Sequence, residues 1–292
     1  MKRLQIGAHV SSSGGLWKAV ERGLAIEAEA LQIFPSAPQN WRPTNHTDEA
    51  YSKFATARTE AGLGEVWFHC IYLVNLATET PDQLEKSVAA VVNALTVADR
   101  AGGNGVVLHV GSHKGAGLDA CLSQVAGALE RIFEAAPGSA VLALENAAGH
   151  GGTIGRDFLE LGAILKAVGN PRLQVCVDTC HAFAGGYNLA DPDGVQAMLE
   201  EFDREVGLQH LAVWHLNDSK QGLGDQRDRH ENIGDGRIGT DGFRVWLDAI
   251  RRVPEIPANA LLLEVPGIEN DGPDLENVRR MKAIREAVEG GG

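Results

Sequence analysis

The chain has 292 residues, with 39 acidic against 26 basic side chains, a formal charge of −13 and 44% hydrophobic residues. That length suits one large domain with a substantial core. No run of about 18 apolar residues could span a membrane and no charged-apolar leader opens the chain, so a soluble, cytoplasmic protein is expected.

In chain order, Leu4 to His9 is strand-like and is followed by S-S-S-G-G, a turn that can cap a helix over Leu16 to Ile26. A second strand, Ala30 to Phe34, leads into P-S-A-P-Q-N-W-R-P, too rich in proline for a helix or a central strand, which presents Gln39, Asn40, Trp41 and Arg42. A helix over about Asp48 to Gly62 precedes E-V-W-F-H, ending on His69 with Tyr72 and Asn75 just beyond. A long helix, about Pro81 to Ala101, precedes G-V-V-L-H, ending on His109. After another helix A-V-L-A-L-E ends on Glu145, then L-Q-V-C-V-D ends on Asp178, with His181 at the start of a short helical turn.

A helix over Val195 to Val206 leads to the run Leu211 to Leu216, which delivers His215. A long polar loop then carries Asp228 and His230, two residues apart, and A-L-L-L-E ends on Glu264 before a C-terminal helix. These are eight continuous apolar runs alternating with helical segments, the pattern of strands buried on both faces. The expected fold is α/β, a parallel (β/α)8 TIM barrel occupying residues 1–289 as a single domain, with Gly290 to Gly292 as a frayed glycine-rich tail.

In such a barrel the carboxyl ends of all strands meet on one rim, which holds the active site. His69, His109, Glu145, Asp178, His215 and Glu264 each end a strand, so they should converge, joined by His181, Asp228 and His230 from adjacent loops. Imidazole with carboxylate suits a borderline divalent ion such as zinc. Without cations the acidic members would crowd like charges at a desolvated rim, raising their pKa values and costing stability. Cys70, Cys121, Cys176 and Cys180 form no C-x-x-C pair and read as reduced, mostly buried thiols, Cys180 included although it lies beside Asp178 and His181.

The segments G-A-H-V-S, H-C-I-Y-L-V-N-L, H-V-G-S-H, E-N-A-A-G, V-D-T-C-H-A-F-A-G-G-Y, W-H-L-N-D-S-K, D-R-H-E-N-I-G-D-G-R-I-G and L-L-L-E-V-P-G together resemble endonuclease IV, the zinc-dependent apurinic/apyrimidinic (AP) endonuclease family, over nearly the whole chain. The resemblance implies three zinc ions per chain. His69, His109 and Glu145 would hold the first; Glu145 would bridge to a second held by Asp178, His215 and Glu264; His181, Asp228 and His230 would hold the third. It also implies a DNA-repair activity on duplex DNA, cutting 5′ to an abasic site to leave a 3′-hydroxyl, with Glu145 and Glu264 as catalytic residues. Phe68, Val110 and Val265 depart from the family's frequent residues without removing a ligand, and Q-N-W replaces versions of that loop that carry Arg.

Paired divalent ions suit phosphodiester hydrolysis, because they activate water and neutralise the leaving oxygen. Tyr72, Gln39, Asn40, Trp41, Arg42, Lys114, Lys220, Arg227, Arg229 and Arg237 are the candidates for holding phosphates or filling the gap left by a missing base. The acidic total is not an obstacle if three divalent ions concentrate positive charge at one face. His9 and His113 read as structural residues behind the ligands, and a monomer is expected. Two other readings use the same residues: a divalent-metal sugar isomerase or epimerase, which needs only one or two metals, and a non-catalytic DNA-binding protein with structural metals, which would normally be closed by four ligands and often be cysteine-rich.

Overall fold

The computed structural model describes residues 3–290. Its barrel strands are β1 (Gln5–His9), β2 (Ala30–Ile33), β3 (Val66–His69), β4 (Gly105–Leu108), β5 (Val141–Glu145), β6 (Leu173–Asp178), β7 (Leu211–His215) and β10 (Ala260–Leu263). They form a closed ring in the order β1-β10-β7-β6-β5-β4-β3-β2, every pairing parallel. A two-residue antiparallel pair, β8 (Asp218–Ser219) and β9 (His230–Glu231), stands above the rim.

The helices are α1 (Leu16–Ala25), α2 (Asp48–Glu60), α3 (Pro81–Arg100), α4 (Leu122–Ala135), α5 (Phe158–Val168), α6 (Thr179–Gly185), α7 (Pro192–Glu205), α8 (Gly239–Ile250) and α9 (Leu275–Gly290). Each long helix buries a stripe, as α1 does with Leu16, Ala19, Val20 and Gly23, at the spacing that keeps side chains on one face. Caps fix the starts: Thr47 accepts from Ala50 N ahead of α2, and Asp191 accepts from Gly194 N ahead of α7 with Pro192 in the first helical position.

The alternating parallel barrel is the fold expected from the apolar runs. Boundaries moved: β1 starts at Gln5, β2 stops at Ile33, β4 and β10 stop one residue short of His109 and Glu264, and α7 begins three residues earlier than Val195. Two helices had not been singled out, α5 and α8, the latter because it begins inside the glycine-rich run I-G-T-D-G. Gly290 is the last residue of α9 rather than part of a tail, and residues 291–292 lie outside the described region.

Two apolar clusters divide the core. The larger fills the shell between strands and helices. The smaller, with Ala30, Trp67, Val107, Ala143, Cys176, Val213 and Leu262, lies inside the ring. Side chains alternate along a strand, so residues two further on point inward as well: Gln32, His69, His109, Glu145, Asp178, His215 and Glu264. The polar rim is thus the next layer above the apolar plug. Gly7 shares this inward row on β1, and a Cβ there would lie 2.5 Å from Ala30 O and 2.7 Å from Leu262 Cδ2, so only glycine lets β1 close against its neighbours. Among the described residues no helix is long and apolar enough to cross a membrane.

Candidate metal centre

Strand ends and two loops bring all nine expected ligands to one place. His69 Nε2 and His109 Nε2 stand 3.3 and 3.2 Å from Glu145 Oε2, while His215 Nδ1 and His181 Nδ1 stand 3.0 and 3.3 Å from Glu145 Oε1. Glu145 is 0% exposed. Glu264 Oε2 lies 3.2 Å from His215 Nδ1, and Asp178 Oδ2 lies 4.0 Å from the same nitrogen and 3.7 Å from His230 Nε2. Asp228 completes the set, with His181 Nε2 3.2 Å from Oδ2 and His230 Nε2 3.2 Å from Oδ1.

Local structure explains why these atoms face one another. One oxygen of Asp178 caps α6 by accepting from His181 N at 2.8 Å, and the other accepts from Asn217 Nδ2 at 2.6 Å. The loop carrying Asp228 and His230 is held by Asp218, whose buried carboxylate accepts from the backbone N–H of Ser219, Gly234, Gly236, Ile238 and Gly239. Gly236 has no alternative, since a Cβ would lie 2.4 Å from Asp218 Oδ1. Gln226 N donates to Ala184 O and Gly224 N to Phe183 O, tying the loop tip to α6.

The imidazoles are oriented from behind. A carbonyl oxygen only accepts, so a ring nitrogen hydrogen-bonded to one carries the hydrogen and leaves its partner bare. His69 Nδ1 donates to Cys70 O at 2.7 Å, His181 Nδ1 to Asn146 O at 3.1 Å, and His230 Nδ1 to Glu264 O at 3.1 Å. In each case Nε2 is left facing a carboxylate. This is how metal-ligating histidines are usually held.

The fit to metal ions rests on two observations. His181 Nε2 and His230 Nε2 are buried and have no hydrogen-bond partner although Asp228 is 3.2 Å away from both. The recurrent 3.0–3.3 Å spacing is long for a charge-assisted hydrogen bond but matches the edge between two ligands of a tetrahedral zinc with bonds of about 2.0–2.1 Å, roughly 3.3 Å. His69 with His109 and Glu145, and Glu145 with Asp178, His215 and Glu264, each form a group with all ligand atoms within 4.8 Å; so do Asp178, His181 and His230. The described residues therefore hold His, Asp and Glu clusters able to bind metal.

Like-charge crowding does not raise the carboxylates of the cluster as expected, because the histidines beside them lower Glu145, Asp228 and Glu264. Burial alone would push the Glu145 carboxyl up, but His109 and His215 hold it well below the usual range. Burial likewise opposes ionisation of Asp228, and His181 and His230 hold it low. Burial works against a charged His181 or His230, yet Asp178 and Asp228 raise the first well above its ordinary value, and Asp228 with Asp178 brings the second to about 9. The Cys180 thiol sits near Asp228 and His230, but burial pushes it up to about 12 and its Sγ points at Arg229 O, 3.6 Å away. That is the behaviour of a packing residue.

The outer residues fall into two groups. Tyr72 is 60% exposed beside Phe34 and His69, with its backbone tied to Pro38 O. Gln39, Asn40, Arg42, Lys114, Lys220, Arg227, Arg229 and Arg237 are exposed. Asn40 uses its Oδ1 to accept from Arg42 N, and Lys220 Nζ is 3.6 Å from Glu231. Trp41 differs from its neighbours: it is half-buried, packs on the outer shell and lines a depression with Lys86 and Ala90 of α3. His113 organises its own loop, with Nδ1 accepting from Gly115 N and Gly117 N. His9 Nδ1 stands 2.9 Å from Glu264 Oε1.

Several buried residues of the site escaped the sequence reading, among them Asn217, Asp218 and Gln32. Gln32 of β2 is fully buried and touches His215, Glu264 and His9 at once. A single polar residue at an inward position of the run A-L-Q-I was its only signal.

Residues 20–286 match the family described as xylose isomerase-like TIM barrel. The chain is 38% identical over 281 residues to the protein named probable endonuclease 4 of Trichlorobacter lovleyi, covering 96% of this chain and 99% of that one. It superposes on the crystal structure of endonuclease IV from Thermus thermophilus with a TM-score of 0.83 and 35% identity, covering 97% and 99% of the two chains. A D-tagatose 3-epimerase-like protein shares the fold, with a TM-score of 0.73 at 19% identity over 100% of this chain and 99% of that one. The chain belongs to the endonuclease IV family.

Proposed function

We propose that this chain is a DNA-repair endonuclease that hydrolyses the phosphodiester bond 5′ to an abasic site in duplex DNA, leaving a 3′-hydroxyl and a 5′-deoxyribose phosphate, with three zinc ions. A hydrolytic deoxyribonuclease is what membership of the family implies. The observation that carries the reading is Glu145, fully buried with the imidazole nitrogens of His69 and His109 facing one oxygen and that of His215 facing the other, all 3.0–3.3 Å away. A carboxylate so placed is suited to bridging two cations.

His69, His109 and Glu145 would hold the first ion, Glu145, Asp178, His215 and Glu264 the second, and His181, Asp228 and His230 the third. Bound zinc supplies a nucleophilic water at neutral pH and positive charge for the phosphate oxygens. The protein's own contribution is placement. Oε1 of Glu264 is taken by Gln32 and His9, so Oε2 is the oxygen turned towards the site, where it can orient or deprotonate the attacking water.

An abasic nucleotide has no base to stack or pair, so extruding it costs less than the few kcal/mol of an intact one. Tyr72 would occupy the vacated space, a reading supported by its exposure at the rim beside His69. Gln39, Asn40, Arg42, Lys114, Lys220, Arg227, Arg229 and Arg237 would contact phosphates, with Trp41 anchoring its loop from behind. The third ligand set weighs against a sugar isomerase, which needs at most two metals.

The test is incision of a labelled duplex carrying one abasic analogue, with elemental analysis of the same protein. Cutting on the 5′ side that is lost with a strong chelator and returns with zinc, together with about three equivalents of zinc, is expected. One equivalent of metal and an uncut duplex would overturn the reading.

A further inference from the structure

We propose that Gln32 is a positioning residue that fixes the tautomer of His215 and divides the labour of the two Glu264 oxygens, and so sets the affinity of the second metal site. The inference rests on the metal reading above and adds a determinant that lies outside the nine ligands.

The assignment follows from donor and acceptor capacity. Gln32 is 0% exposed, so its amide must find partners inside the barrel. One face lies 2.6 Å from Glu264 Oε1. An ionised carboxylate only accepts, so that face is the NH2 group, which also lies 3.1 Å from His9 Nδ1. The opposite face is then the carbonyl, Oε1, 2.8 Å from His215 Nε2. A carbonyl cannot donate, so Nε2 carries the hydrogen and the bare nitrogen of His215 is Nδ1. That nitrogen lies 3.0 Å from Glu145 Oε1 and 3.2 Å from Glu264 Oε2.

Backbone carbonyls do this work for His69, His181 and His230, where no substitution can remove it. His215 depends on a side chain. The same amide holds Glu264 Oε1 and leaves Oε2 for the site, so a single residue orients two ligands of one ion. Loss of such a supporting hydrogen bond typically weakens metal binding about 10–100-fold.

The experiment compares zinc-loaded wild-type protein with Gln32→Met, similar in size without the amide, and Gln32→Glu, which keeps an acceptor opposite His215 but opposes Glu264 with a second carboxylate. Zinc release to a competing chelator is followed equivalent by equivalent, and long-range 1H–15N spectra report which nitrogen of each imidazole carries hydrogen. In the wild type, His215 is expected with Nε2–H and a metal-bound Nδ1. Gln32→Met should release one equivalent about 10–100-fold more readily, the others unchanged, and lose the protected Nε2–H signal. Gln32→Glu should keep that signal and still lose affinity. A wild-type His215 hydrogenated at Nδ1 would overturn the proposal without recourse to a variant. Tight zinc in the wild type, held equally tightly by Gln32→Met, would overturn the role of Gln32 alone, whereas a wild type that takes up no zinc would overturn the metal reading beneath it.

Discussion

The strand-borne and loop-borne parts of the cluster use the same side-chain chemistry with different support. Glu145, Asp178 and His215 sit on β5, β6 and β7, each 0% exposed, directly above the apolar plug. Asp228 sits on the loop between β8 and β9 with its side chain 56% exposed, and its loop is located by the Asp218 carboxylate and two backbone bonds to α6. A parallel barrel positions strand-end residues through its own register, whereas a loop needs added fastenings. The difference teaches that the strand-borne cluster is built into the fold, whereas Asp228 is appended to it by its loop.

The largest effect should come from the strand-borne part. Glu145→Gln is expected to lower incision of an abasic duplex by about 10³-fold or more, the upper range for removal of one electrostatic group in a hydrolytic site, with an unchanged far-ultraviolet circular dichroism spectrum. Near-normal cutting would remove Glu145 from the centre of the mechanism. The next effect tests the appended part. Asp228→Asn should weaken one zinc equivalent by at least about 10–100-fold while the other two titrate as in the wild type; simultaneous loss of all three would show that the third site is not separable.

The smallest effect distinguishes metal-free from loaded protein by pH. Without metal, His181 and His230 are held above their ordinary values by carboxylate neighbours, and His215 by Cys176 together with Glu264 and Glu145, so the stability they contribute is complete below pH 6.5 and is lost as pH rises, for His230 through about 9. His9 and His109 are lowered by burial, and their influence is confined to pH below 6.5. The Tm of chelated protein should therefore fall between pH 6.5 and 9, whereas the zinc-loaded protein, with neutral imidazole ligands, should show a flatter profile. Parallel profiles would mean that these imidazoles carry no charge before metal binds.

The barrel and its ligands were legible because each ligand ends an apolar run: V-W-F-H, V-L-A-L-E and L-Q-V-C-V-D all switch from core to polar where a strand leaves the sheet. Gln32 was hidden for the complementary reason, being one amide inside a run that stays apolar on both sides. α8 escaped because its first turn is Gly239, Thr240, Asp241 and Gly242, which locally reads as loop, and only Phe243, Trp246, Leu247 and Ile250 commit it to the shell. Trp41 reads equally as a DNA contact or a packing residue in the sequence, which carries no record of which way a proline-rich loop turns its indole. The fastening of the Asp228 loop by Asp218 is also tertiary, since its five donors span Ser219 to Gly239.

The ring closes where β1 meets β10, with Gln5 opposite Ala260 and Ala8 opposite Leu263. On the ribosome β1 emerges long before β10, so the nascent sheet keeps β1 and β7 as open edges until β10 appears. Glu264 arrives with that strand. A polypeptide terminated ahead of Ala260 would lack both the closing seam and the Glu264 carboxylate, so the strand that removes the last open edges also completes the acid and imidazole cluster.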